Sequence, residues 1–290
     1  MNDLYDLENK AYVSFSGGKD STVLSALIDL ALPGNHIPRV FINTGIEYRE
    51  IVNFVKGIGE RDTRLEIIQP LQNIRDMLST YGYPFKSKEH SQKVAVYQNS
   101  GMGKTVLNYL GKGTKKTFLC PETLKYNFTP DFKLKVSDKC CFKLKKEPAD
   151  EWSKEHNRPI IITGIRQDEG GLRKSVTSCA VFYDDKCKEL HKFHPLLVVD
   201  DEWVNEFVKK YNIELCKLYY PPYNFTRTGC KGCAYNKDLQ KQLDVMEELM
   251  PNEKKQCEMI WKPVYDEYRR IGYRLRKKNK EEQSLFEELD

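Results

Sequence analysis

The chain has 290 residues, 40% hydrophobic and 31% charged, which excludes a peptide hormone or a small stapled domain and suffices for one large domain with an appendage or two modest ones. Thirty Phe and Tyr residues and three Trp need burial, so disorder is not the expected main state. No apolar run nears the roughly 20 residues of a membrane span, and the N-terminus, MNDLYDLENKAY, reads as neither signal nor transit peptide. The default expectation is therefore the cytoplasm with no membrane partner, where the nine cysteines are expected as thiols or metal ligands.

In chain order, Tyr12–Phe15 predicts a strand, and after a Gly pair Asp20–Ala31 reads as a helix. Val40–Ile42 predicts a second strand with a helix over Glu47–Lys56, and Leu65–Ile68 a third with a helix near Leu71–Leu78. The stretch from about 83 to 138 breaks this rhythm: it is rich in Lys, Gly, Ser and Asn with weak periodicity, and is expected as a partly mobile insertion. Ile160–Ile162 predicts a fourth strand and Phe193–Val198 a fifth. Apolar strands separated by helices predict an α/β protein, a parallel sheet with helices on both faces. Beyond Lys237, apolar Cys257, Ile260, Trp261, Val264, Tyr268, Ile271 and Leu275 recur every three or four places, one face of a long helix that Pro263 is expected to kink. The expected division is a domain over 1–237, carrying the insertion, and a helical C-terminal extension over 238–290, with no internal repeat.

Charge is unevenly spread along this plan. Lys86 to Lys146 holds fourteen Lys, no Arg and four acids, so it is strongly basic while the rest of the chain is net acidic. A second basic run, Arg269 to Lys280, precedes an acidic end, EEQSLFEELD. Such asymmetry fits a polyanionic partner as well as a solvated surface.

Ser16-Gly17-Gly18-Lys19-Asp20-Ser21 lies between the first strand and its helix. A Gly pair lets backbone approach a phosphate closely, helix-start N–H groups point at the anion, the two hydroxyls can donate, and Lys19 adds charge. Gly101-Met102-Gly103-Lys104-Thr105 looks like a Walker A ending, but Gln98 stands where that motif needs Gly, so it is set aside. The hexapeptide resembles the SGGxDS signature of the PP-loop superfamily, ATP pyrophosphatases and relatives that work at the α-phosphate. That resemblance implies a Rossmann-like, adenine nucleotide alpha hydrolase-like sheet, and, in ATP-using members, adenylylation of an acceptor with release of pyrophosphate.

A second constellation is Cys140-Cys141 with Cys230-Lys231-Gly232-Cys233. Two pairs of thiolates can supply four soft ligands to zinc or to an iron–sulfur cluster. Cys120, Cys179, Cys187, Cys216 and Cys257 lack such pairing and are expected as small apolar residues.

With both signals the sequence resembles the phosphoadenosine phosphosulfate (PAPS) reductase family over most of Ala11 to Tyr235. SFSGGKDS, Ser14 to Ser21, resembles its phosphate loop. Asn43-Thr44-Gly45-Ile46-Glu47 resembles its Asp-Thr-Gly-x-Glu turn, with Asn for Asp. Thr163-Gly164-Ile165-Arg166 with Glu169 and Arg173 resembles its arginine loop, and Thr226-Arg227-Thr228-Gly229-Cys230 the approach to its second cysteine pair. The resemblance implies nucleotide contacts from Ser14, Ser16, Gly17, Gly18, Lys19, Asp20, Ser21, Asn43, Thr44, Gly45, Gly164, Arg166, Arg173 and Arg227, with Lys19, Asp20, Lys145 and Arg166 as catalytic candidates. Cys140 to Pro148 is similar to the cluster segment of adenosine phosphosulfate (APS) reductases. This implies a four-iron four-sulfur cluster on Cys140, Cys141, Cys230 and Cys233, with Lys145 where those enzymes carry a lysine between cluster and substrate.

The chain lacks the family's C-terminal Glu-Cys-Gly-Leu-His nucleophile; its last cysteine, Cys257, is predicted on an apolar helix face, where a thiol is a poor nucleophile. The leading expectation is therefore ATP-dependent activation linked to sulfur transfer, with ATP, Mg2+ and the cluster as cofactors and a cysteine desulfurase or electron donor as protein partner. The 86–146 segment would track a nucleic-acid backbone, and Tyr265, Tyr268 and Tyr273 are candidates for base stacking, against core packing for Tyr268. The alternatives are an APS or PAPS reductase with its nucleophile elsewhere, and a non-catalytic nucleotide-binding regulatory module.

Overall fold

Six strands form one sheet: β1 (Ala11–Phe15), β2 (Arg39–Ile42), β3 (Leu65–Ile68), β4 (Ile160–Ile162), β5 (Ala180–Phe182) and β6 (Leu190–Phe193), in the order β3-β2-β1-β4-β6-β5. Every neighbouring pair is parallel except β5 with β6. The computed structural model describes residues 1–114, 119–183 and 189–277. Cys187, the acidic end and the last residues of the second basic run lie outside the described residues. The chain divides into two compact units, Met1–Leu71 with Leu144–Gly229, and Gln72–Lys143 with Cys230–Asp290.

In the first unit the period of two within each strand makes both sheet faces apolar. Ala11 and Val13 of β1 and Ile160 and Ile162 of β4 pack with Val23, Leu24 and Ile28 of the helix Lys19–Ala31 and with Val204 and Phe207 of the helix Asp201–Lys210. On the opposite face Tyr12 and Val40 receive Trp152 of the helix Glu147–Glu155, with Ile68 and Ile161 beside them. Each fully buried aliphatic side chain of this kind is worth about 1.5–3 kcal/mol. A Rossmann-like α/β sheet covered on both faces is thus the observed architecture. At the amino-terminal end of the strands, Arg39, 1% exposed, pairs with Asp29 at 2.7 Å, and Arg64 pairs with Asp29 and Asp62, so the buried guanidinium is paired, although burial still lowers its pKa.

The fifth strand differs from expectation: it ends at Phe193 rather than starting there. Pro195 has no N–H for a ladder, and the chain turns instead, Leu197 N–H donating to His194 O at 3.1 Å. The short β5, which the sequence pattern did not indicate, pairs antiparallel on the outside of β6.

The second unit is helical. Its basic stretch does lie between β3 and β4 as an insertion, and its described residues form helices Lys88–Ser100 and Lys104–Tyr109 and a 3-10 helix Glu122–Phe128. Ser87 caps the first by accepting from His90 N–H at 3.2 Å. Its buried positions are His90, Ser91 and Val94, so two of three are polar, which is why apolar periodicity is weak there. Helices Leu239–Leu249 and Pro251–Ile271 follow. The latter buries Cys257, Ile260, Trp261, Val264, Tyr265 and Tyr268, runs through Pro263, and stops at Gly272, φ +65°, so Leu275 is buried beyond the helix rather than on it.

His90 is fully buried; its ring meets Tyr109 Oη at 3.0 Å and Asn127 Oδ1 at 3.1 Å. Burial, and then Lys86 nearby, push its pKa down to about 3. The folded pKa lies below the unfolded value of about 6.5, so the unfolded chain takes up the proton first and stability falls as pH drops from about 6.5 toward 3. Urea unfolding at pH 5 should therefore show about 1.6 kcal/mol less stability from this group than at pH 6.5. A His90→Gln variant whose pH dependence matches the parent's would exclude the effect. No described helix is long and apolar enough to cross a membrane.

Candidate functional site

β1 lies between β2 and β4, and the chain builds outward from it in both directions. The carboxyl ends of β1 and β4 are thus a topological switch point, where open parallel sheets leave a crevice for ligands. Three of the sequence motifs follow the carboxyl ends of β2, β1 and β4, all within the first unit.

After β1, Gly17 takes φ +67°, and a Cβ there would lie 2.7 Å from Val55 Cγ2, so both conformation and space require glycine. Ser21 Oγ accepts from Ser16 N–H at 3.1 Å, lies 2.9 Å from Ser16 Oγ, and donates to Gly18 O at 3.0 Å, folding the loop onto the helix start. Gly18 N–H donates to Ser16 Oγ at 3.3 Å and Lys19 N–H to Tyr219 Oη at 2.9 Å. Gly164, after β4, is also sterically fixed: a Cβ would sit 2.9 Å from Asp20 O. Ser14 is inside β1 rather than in the loop.

The cations suggested by sequence all engage carboxylates. Lys19 Nζ pairs with Asp201 at 3.0 Å. Arg166, 3% exposed, donates from Nε to Asp20 at 2.9 Å and from Nη2 to Asp201 at 2.7 Å, with Asp168 at 3.5 Å. Arg227 and Arg173 share Glu169, the former at 2.7 Å. Burial raises the Asp20 pKa against the opposing pull of Arg166, whereas the hydrogen bond from Lys19 heads the causes that lower that of Asp201. After β2, Asn43 Oδ1 accepts from Gly45 N–H at 3.2 Å, while Thr44 donates from N at 2.9 Å and from Oγ1 to the buried Glu47 carboxylate. Lys145 Nζ reaches the same carboxylate at 3.3 Å. Asp168, Asp201 and Tyr219 were not singled out from sequence; the acidic run Asp200–Glu202 at a helix start is the one local signal that marks Asp201, and nothing local marks Tyr219.

All four candidate ligand cysteines belong to the second unit. The helix Pro251–Ile271 clamps the Cys230–Cys233 segment and its continuation: Trp261 Nε1 donates to Lys231 O at 3.2 Å, Tyr265 Oη to Gly232 O at 2.6 Å, and Tyr268 Oη to Ala234 O at 2.9 Å. Tyr265 and Tyr268 are fully buried, which corrects the base-stacking candidacy of Tyr265 and agrees with the core packing that spacing favours for Tyr268: their rings are core and their hydroxyls hold the cysteine turn. Burial raises the pKa of the Tyr235 hydroxyl against the opposing hydrogen bond with Ser91, and Cys141, Cys233 and Cys140, as thiolates, add smaller upward contributions. No disulfide links the described cysteines. Among the described residues no three His, Cys, Asp or Glu side chains gather to hold a metal ion. An all-thiol donor set nonetheless has the chemistry of iron–sulfur ligation rather than of a hard cation. Cys257 is fully buried with its pKa pushed up to about 12 by burial, so it is no nucleophile.

A family model described as the phosphoadenosine phosphosulfate reductase domain matches residues 10–110 and 114–236. An uncharacterized protein of Methanocaldococcus jannaschii is 34% identical over 83 residues, which cover 27% of this chain and 20% of that protein's length. Among solved structures, a PAPS reductase from Candida auris aligns at 15% identity over 76% of this chain and 81% of its own, with TM-score 0.44. An FMN adenylyltransferase from Candida glabrata aligns at 16% over 79% and 57%, with TM-score 0.44. A U34-tRNA thiolase from Methanococcus maripaludis, solved with its [4Fe-4S] cluster, aligns at 15% over 88% and 71%, with TM-score 0.38.

Proposed function

Because the chain belongs to the phosphoadenosine phosphosulfate reductase domain family, we propose that it is a PP-loop enzyme that binds ATP at Ser16–Ser21, adenylylates an acceptor, releases pyrophosphate and thereby prepares the acceptor for sulfur transfer. The observation that carries this reading is the position of that loop after the carboxyl end of β1, at the switch point and flanked by the loops after β2 and β4. Helix-start amides and the Ser16 and Ser21 hydroxyls suit the pyrophosphate oxygens on which charge grows as the α–β bond breaks. Lys19 trades Asp201 for phosphate, while Arg166 stays with Asp20 and Asp201 and fixes the helix start. The Asn43–Gly45 turn, braced by Glu47 and Lys145, forms the second wall; Arg173 and Arg227 stand on the arginine-loop side.

Cys140, Cys141, Cys230 and Cys233 would hold a four-iron four-sulfur cluster, which supplies sulfur binding or electron transfer when bound. The lysines of 86–146 support a nucleic-acid acceptor. Sulfonucleotide reduction is the reading that the family's description favours; burial removes Cys257 as its nucleophile.

The test is anaerobic purification followed by incubation with ATP, APS and PAPS in turn, each with total RNA present as the acceptor of the adenylyl group. Pyrophosphate from ATP is the expected product; sulfite from APS or PAPS with none from ATP would replace this reading by reduction. Cys140→Ala and Cys233→Ala should each abolish the cluster's visible absorption, and full iron retention in both would overturn the ligand set.

A further inference from the structure

The amide at the start of the phosphate-loop helix already has an occupant from the same unit. Lys19 N–H donates to Tyr219 Oη at 2.9 Å, and that oxygen lies 3.2 Å from Thr228 Oγ1. A Cβ on Gly18 would come within 3.2 Å of the same phenol oxygen, so Tyr219 covers the glycine face of the loop. A strap of chain holds it there: Lys217 pairs with Glu50 at 2.8 Å, Phe225 packs on Tyr48 at 5.3 Å between ring centroids, and Arg227 pairs with Glu169 at 2.7 Å. A phenol oxygen in this place makes the contact that a phosphate oxygen makes at a helix N-terminus.

We infer that Tyr219 is a specificity-determining residue of the nucleotide site: its hydroxyl is a neutral stand-in that an anionic phosphoryl oxygen, but not a neutral ligand, displaces from the Lys19 amide. The inference rests on the phosphate-loop reading above. The neutral form is secure, because burial raises the phenol's pKa. A hydrogen bond from an amide to an anion is about twice as strong as one to a neutral oxygen, and the helix dipole adds to the difference. A neutral molecule that displaced the phenol would exchange one ordinary hydrogen bond for another. The site therefore stays closed until a charged group arrives.

Tyr219→Phe keeps the ring and its packing while removing the occupant. The full chain and this variant are titrated calorimetrically with inorganic pyrophosphate, ATP and, as the neutral control, adenosine. Lys19 amide exchange is followed by hydrogen–deuterium exchange. Tyr219→Phe should bind pyrophosphate about tenfold more tightly than the parent, the worth of one hydrogen bond. Its Lys19 amide should exchange faster before ligand is added. Pyrophosphate should give a near-ultraviolet tyrosine difference signal in the parent that the variant lacks. Equal or weaker pyrophosphate binding by Tyr219→Phe, with the parent binding well, overturns the stand-in and leaves the phosphate loop intact. Unchanged Lys19 exchange overturns it through the contact itself. Failure of both proteins to bind pyrophosphate or ATP overturns the loop reading, and this inference with it.

Discussion

Gly232→Ala should destabilise the protein by about 2–5 kcal/mol, combining about 1–2 for a left-handed alanine with about 1–3 for overpacking. Gly232 sits between the cysteines of the Cys230–Cys233 turn at φ +63°. A Cβ there would lie 2.5 Å from Tyr265 Oη and 2.7 Å from Cys257 Sγ, both on the buried face of the helix Pro251–Ile271. Neither atom can retreat cheaply, since Tyr265 is fully buried and its hydroxyl is bonded to Gly232 O itself. Gly229→Ala is the matched control, because Gly229 has φ +61° with nothing within 4 Å of a Cβ. It should cost only the backbone part, about 1–2 kcal/mol. Urea unfolding of the two variants measures the difference. Equal losses would mean that the cysteine turn is not packed against that helix as described.

Arg166→Met should cost about 3–5 kcal/mol near neutral pH, the usual result of removing one partner from a buried ion pair. The loss falls mainly on Asp20, because Asp168 and Asp201 are 47% and 63% exposed and keep their water, whereas Asp20 is 25% exposed. Burial already raises the Asp20 pKa while Arg166 pulls it down, so removing the guanidinium raises it further. A carboxyl whose folded pKa exceeds its unfolded value contributes stability below the unfolded pKa and loses it as pH rises through the folded one. The deficit of Arg166→Met should therefore shrink as pH falls, and Asp20→Asn in the same background should recover most of it. A deficit independent of pH and untouched by Asp20→Asn would place the role of Arg166 elsewhere.

The sheet was legible in the sequence because local rules and tertiary demands agree there. Apolar β1, β2, β3 and β4 with intervening helices admit little but a parallel sheet covered on both faces, and two glycines before Lys19 mark a turn whose first position, Gly17, only glycine fills. Where burial is achieved by polar groups the pattern went silent. Helix Lys88–Ser100 hides His90 and Ser91 in its buried face, so a periodicity count sees a loop. Tyr265 looked like a base-stacking candidate in a basic context, and only packing shows its ring in the core and its hydroxyl on Gly232. The pairing of Lys19 and Arg166 with Asp201, some 182 and 35 residues away, and the placing of Tyr219 on the Lys19 amide have no local signature. Sequence by itself determined the backbone that can cradle an anion, since glycine conformation and strand period are local properties. Which charges and hydroxyls surround that backbone was decided by the tertiary structure alone, because electrostatics and hydrogen bonding act through space between segments that the chain separates.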